Sequence, residues 1–112
     1  MAETSKPLSD FFRAIERDPR IGTTHIGIYA ALLHKRAVLL QANPISVYSW
    51  EIMNIAKVSS PATYYKCVRD LADYGYIIYE PSYNRYEASK IHFETRPEIR
   101  GKRPIIYTEN TD

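Results

Sequence analysis

A chain of 112 residues, 45% hydrophobic and 25% charged, has the balance of one globular domain, able to bury roughly two-thirds of the surface its unfolded chain exposes. A single cysteine excludes an internal disulfide and a cysteine-rich metal site, and no segment approaches the ~18 apolar residues of a membrane span, so a cytoplasmic protein without a membrane partner is expected. The formal charge of +2 is too weakly basic for composition alone to decide on nucleic acid as a partner.

In chain order, Ser9 precedes a short predicted helix over DFFRAIERD, with Asp10 near its positive end and Phe11, Phe12 and Ile15 on one apolar edge, which Pro19 and Gly22 close. Its two Phe residues need cover, from the same domain or from a second copy. A longer scaffold helix is expected from Thr23 or Thr24 to about Gln41, with Tyr29, Leu32, Leu33, Arg36 and Leu40 as its stripe. Asn43 and Pro44 break it. Ile45 to Tyr48 then suits a small strand, able to join a later hairpin as a third strand. Ser49 is the expected cap of a helix from Trp50 to Ala56 or Lys57, offering Trp50, Met53 and Ala56 to the core, and Lys57 to Ser59 reads as a turn.

The clearest local signal follows. Ser60 can accept a backbone N–H and Pro61 fits the first helical position, where no N–H is needed. At 100° per residue Tyr64, Val68, Leu71 and Gly75 fall in one sector flanked by Cys67 and Ala72, while Tyr65, Lys66, Arg69 and Asp73 lie opposite. Gly75 supplies the helix stop. Tyr76 to Glu80 alternates as a strand with Ile77 and Tyr79 on the core side and Tyr76 and Ile78 on the other, and a turn at Pro81 to Glu87 leads to a return strand over Ala88 to Phe93. On that strand Ile91 and Phe93 share one face, with Lys90 and His92 on the other.

Ser60, Thr63, Tyr64, Lys66, Val68, Arg69, Leu71, Gly75 and Ile77 resemble the S-x-x-T-V-x-R-x-L-x-x-L-x-x-x-G-x-I run of bacterial winged helix-turn-helix regulators, and the wing segment is similar to small regulators encoded on bacterial mobile elements. The resemblance implies an α+β winged helix-turn-helix: a three-helix core plus an N-terminal helix and a small antiparallel β-sheet with a wing hairpin. The expected division is an N-terminal helical extension over 1–22, the winged domain over 23–95 and a basic C-terminal tail over 96–112 with a short edge strand at Ile105 to Tyr107. The chain departs from the run at Tyr64, where a smaller aliphatic is usual, at Lys66, where Arg is common, and in lacking a Gly in the turn before Ser60. The turn geometry is therefore what the resemblance leaves open.

The expected partner is double-stranded DNA, with the recognition helix 60–74 in the major groove and the wing 76–93 on an adjacent groove. Ser60 and Thr63 sit at a helix start, where backbone N–H groups and a partial positive charge meet phosphate. Thr63 and Lys66 are nearest base edges, Tyr65 and Arg69 face the sugar-phosphate wall, Asn84 and Arg85 would probe the minor groove from the wing tip, and Lys90 would meet a phosphate. Asp70, Asp73, Glu80 and Glu87 limit the footprint. Arg96, Arg100, Lys102 and Arg103 form either a solvated tail or a phosphate-binding arm. Tyr74, Tyr76, Tyr83 and Tyr86 are core residues, or else a surface for a partner subunit or for unpaired bases.

No catalytic, cofactor-binding or metal-binding residues are expected. His25, His34 and His92 lack ligand spacing, Cys67 reads as a small buried residue, and the four glycines form no phosphate loop. The leading expectation is a sequence-specific transcriptional regulator, paired as a homodimer on a two-fold site. A replication or excision accessory protein and a winged helix used for protein–protein assembly stand as alternatives.

Overall fold

The computed structural model of the chain describes residues 5–82 and 87–93. Among them it forms four helices, α1 (Ser5–Ile15), α2 (Thr23–Val38), α3 (Ser49–Ala56) and α4 (Pro61–Asp73), and three strands, β1 (Ile45–Val47), β2 (Ile78–Glu80) and β3 (Ser89–His92). The class is α+β. The strands make one antiparallel sheet in the order β1-β3-β2, with Ile45 opposite Ile91 and Tyr79 opposite Ile91 from the other side. The tail from 96 and the wing-tip residues Asn84 and Arg85 lie outside the described residues.

Helices α2, α3 and α4 enclose a core with Ile28, Leu32, Ile52, Val68 and Leu71, closed from the sheet by Ile45, Val47 and Ile91, all fully buried. Period-two alternation places Ile45 and Val47 inward on either side of exposed Ser46, which is why so short a strand holds its register. The third strand thus joins the hairpin as expected. The α4 stripe also matches its wheel: Tyr64, Cys67, Val68, Leu71 and Gly75 are buried.

Four expectations need correction. The first helix begins at Ser5, before Ser9 and Asp10, because Pro7 is tolerated in a first turn that needs no donors and Asp10 pairs along the helix with Lys6 at 3.0 Å and Arg13 at 3.2 Å. Of its two Phe residues, Phe11 is covered by the same chain, stacked on Tyr29 at a centroid distance of 3.9 Å, while Phe12 stays exposed. Secondly, α2 ends at Val38, and Leu40 is 86% exposed rather than part of the stripe. Leu40 and Gln41 both have positive φ, and the N–H groups of Leu40 and Gln41 close back on the carbonyls of Ala37 and Arg36 at 3.1 and 2.7 Å, so the freed carbonyls are satisfied without glycine.

Thirdly, α3 is capped one residue earlier than expected. Tyr48 is its N-cap and its backbone N–H donates to Glu51 Oε1 at 3.0 Å, leaving Ser49 inside the helix. Its phase differs too: Ile52 is fully buried and Trp50 is 66% exposed. Finally, β2 starts at Ile78, and Tyr76 is buried instead of lying on the far side of a strand. It belongs to the turn that ends α4, where its N–H meets the Leu71 carbonyl at 2.9 Å, its ring meets Phe11 edge-on and its hydroxyl donates to Asp18 Oδ2 at 2.6 Å.

Candidate nucleic-acid interface

Helix α4 is built as a presenting element. Ser60 Oγ accepts the Thr63 N–H at 3.2 Å, and Pro61 removes one donor from the first turn, so a firm start stands in solvent. Gly75 at φ 89° ends the helix, with its N–H on the Ala72 carbonyl at 3.1 Å. Between these stops Thr63, Lys66 and Arg69 are exposed and Tyr65 is half-buried, which brings together five of the expected contact residues: Ser60, Thr63, Tyr65, Lys66 and Arg69.

The charges on this face are not loose. Lys66 Nζ donates to Asp70 Oδ2 at 2.9 Å, which raises the ammonium pKa, and the same oxygen takes the Nε2 hydrogen of His25 at 2.8 Å. The tautomer follows from the backbone: Gly22 N–H donates to His25 Nδ1 at 2.9 Å, so the ring proton sits on Nε2. Burial alone would raise the Asp70 carboxyl, but the bonds from His25 and Lys66 outweigh it and hold the group below the usual carboxylate range. Asp70 is therefore tied inward to α2 by His25, and the charge of the acid expected to repel phosphate is countered by Lys66. Arg69 lies with its guanidinium 5.9 Å from the Tyr65 ring, which in turn meets Tyr64 edge-on at 5.1 Å.

Lys90 is not brought to this cluster. It lies on the outer face of the sheet between Ser46 and Glu80, its cross-strand partners, whereas the inner face of β3 carries buried Ile91. His92 on that outer face meets Glu80 at 2.9 Å. Of the tyrosines read as core or else as a partner surface, Tyr76 is core, and Tyr74 is half-buried beneath Arg20, whose guanidinium sits 3.9 Å over its ring. Tyr83 and Tyr86 lie outside the described residues.

Sequence reasoning missed an aromatic groove next to α4. Trp50 stacks on Tyr48 at 6.0 Å and 17°, and a cavity of about 240 Å³ lies between this pair, Tyr65, Ser82 after β2, Glu87 before β3 and Ser89 at the start of β3. The available signal was the shortness of α3, since eight residues cannot define a helical phase from two or three apolar positions. A larger cavity, about 540 Å³, opens between α1, the end of α2 and Phe93.

Among the described residues no group of three or more His, Cys, Asp or Glu side chains could hold a metal ion, and no helix is long and apolar enough to cross a membrane. Burial pushes the Cys67 thiol above its ordinary value, which disfavours the reactive thiolate. Comparison with family models, with curated proteins and with solved structures returned no match to the chain.

Proposed function

We propose that the protein is a sequence-specific double-stranded DNA-binding protein, a transcriptional regulator of the winged helix-turn-helix type, with α4 in the major groove and the hairpin after it as the wing. One observation carries the reading. A helix capped by Ser60 and Pro61 turns its buried side to α2 and the sheet, and presents Thr63, Lys66 and Arg69 outward beside an antiparallel hairpin completed by β1. That order of elements and the strand order β1-β3-β2 are compatible with a winged helix. Lys66, itself exposed, can turn from the half-buried Asp70, which keeps its bond from His25, to a guanine O6/N7 edge or a phosphate. Pairing of two copies on a two-fold site belongs to the same proposal.

Selection of bound sequences from random duplex DNA tests the reading, followed by binding at several salt concentrations. Affinity is expected to fall with salt, with a log–log slope of roughly −0.9 per phosphate neutralised. Lys66→Ala should relax preference at one position of the selected site by roughly tenfold. An intact protein with no salt-dependent duplex binding would overturn the proposal. The run Val38, Leu39 and Leu40, exposed at 58%, 38% and 86%, supports a second reading in which the fold serves protein–protein assembly.

A further inference from the structure

The groove beside α4 offers a chemistry that duplex reading by a helix does not use. Trp50 is the sole tryptophan of the chain, and it is 66% exposed although a buried indole would remove a large apolar surface from water. Its ring lies near-parallel to that of Tyr48 at a centroid distance of 6.0 Å, an offset that leaves much of the indole in solvent. Tyr65 stands across the cavity of about 240 Å³, and Ser49, Ser82, Ser89 and Glu87 line it with polar groups. Flat aromatic walls with hydrogen-bonding groups between them match a planar molecule whose edge is polar.

We propose that this groove takes an unpaired nucleobase of a DNA strand, stacked on Trp50 with its edge toward Glu87. Stacking on an aromatic side chain accepts any base, because every base has a π-face. The edge adds a preference. A carboxylate only accepts hydrogen bonds, so Glu87 favours adenine, cytosine and guanine, whose amino groups donate from the base edge, over thymine, whose single N3–H is flanked by two carbonyl oxygens that a carboxylate repels. The same negative charge keeps phosphate out of the cavity, and Arg69, next to Tyr65, is the cation placed to meet the strand's backbone outside it. The inference rests on the DNA-binding reading for its polymer, but needs no duplex in contact with α4.

The sole tryptophan makes the test direct. The full chain is titrated with single strands of about twelve nucleotides, the length scale of aromatic single-strand sites: oligo-dA, oligo-dC, oligo-dT and the adenine ribo-oligomer, beside a blunt duplex. The expected result is saturable quenching of Trp50 emission by oligo-dA and oligo-dC, several-fold weaker binding of oligo-dT, and loss of that difference in Glu87→Gln. Trp50→Ala, read by anisotropy of labelled strands, should weaken single-strand binding roughly tenfold or more while leaving the melting temperature and duplex affinity unchanged. Absence of quenching, single-strand affinity indifferent to Trp50→Ala, or equal or tighter binding of the ribo-oligomer would each overturn the proposal. Duplex binding without strand binding removes this inference and leaves the regulator reading intact; strand binding without duplex binding does the reverse.

Discussion

Helices α3 and α4 pack on the same core yet dispose of their aromatic residues in opposite ways. Tyr64 of α4 is 2% exposed, with burial pushing its phenol upward in pKa, whereas Trp50 of α3 is 66% exposed. Their ends differ too. Ser60, Pro61 and Gly75 mark α4 with residues whose conformational preferences suit the job, while α3 starts on a bond from the Tyr48 backbone to Glu51 and stops at Lys57 with φ 64°. The contrast teaches that a helix of 13 residues carries enough turns and punctuation to state its own phase, and one of 8 takes its phase from its neighbours.

The sharpest way to break that contrast is truncation. Tyr64→Ala should cost about 3–5 kcal/mol as a large-to-small core change, whereas Trp50→Ala should stay within about 0.5 kcal/mol, both read from denaturant melts. Comparable losses would mean that the exposed indole is structural.

The exit from α4 gives the next largest effect. Arg20, bonded to Asp18 at 2.7 Å, and then Tyr76, hold the Asp18 carboxyl down to about 2, against the burial that opposes them. A depressed folded-state pKa means stability that is present above the unfolded value near 4 and lost as pH falls toward 2, on the order of 2 kcal/mol in total. Asp18→Asn should lower stability at neutral pH by about that amount and flatten the acid limb of the stability profile. An unchanged limb would show that the bonds from Arg20 and Tyr76 do not hold Asp18 charged in the folded protein.

On the outer face of α4 the expected change is in binding alone. Arg69→Ala should weaken all duplex sequences alike and reduce the salt slope by about 1, with no shift in melting temperature. Asp70→Asn keeps an acceptor for His25 and removes a charge beside Lys66, so duplex affinity should rise several-fold. A fall in affinity would mean that Asp70 positions Lys66 for contact instead of restraining it.

The smallest effect tests the helix ends. Lys57→Gly relieves a left-handed residue and should raise stability by up to about 1 kcal/mol, while Gly75→Ala should lower it by about 1–2 kcal/mol, since the side chain would enter the conformation that only glycine adopts freely. Equal outcomes at the two sites would erase the difference between the helices.

Much of this molecule was legible in its residues. The start of α4 followed from the hydroxyl of Ser60 and the missing donor of Pro61, its end from Gly75, and its buried side from apolar residues recurring over more than three turns. The strand after Pro44 followed from the β-branched residues at Ile45 and Val47, though its partner strand did not. These are local consequences of backbone sterics and of the period of a helix or strand, so the sequence by itself determined them. The outward turn of Trp50, the burial of Tyr76 under Phe11, the left-handed Leu40 and Lys57, and the binding of Asp70 to His25 across 45 residues were decided only by the tertiary structure. In each the deciding partner is remote in sequence or is a backbone carbonyl needing a donor, and neither requirement leaves a mark on the residue that satisfies it.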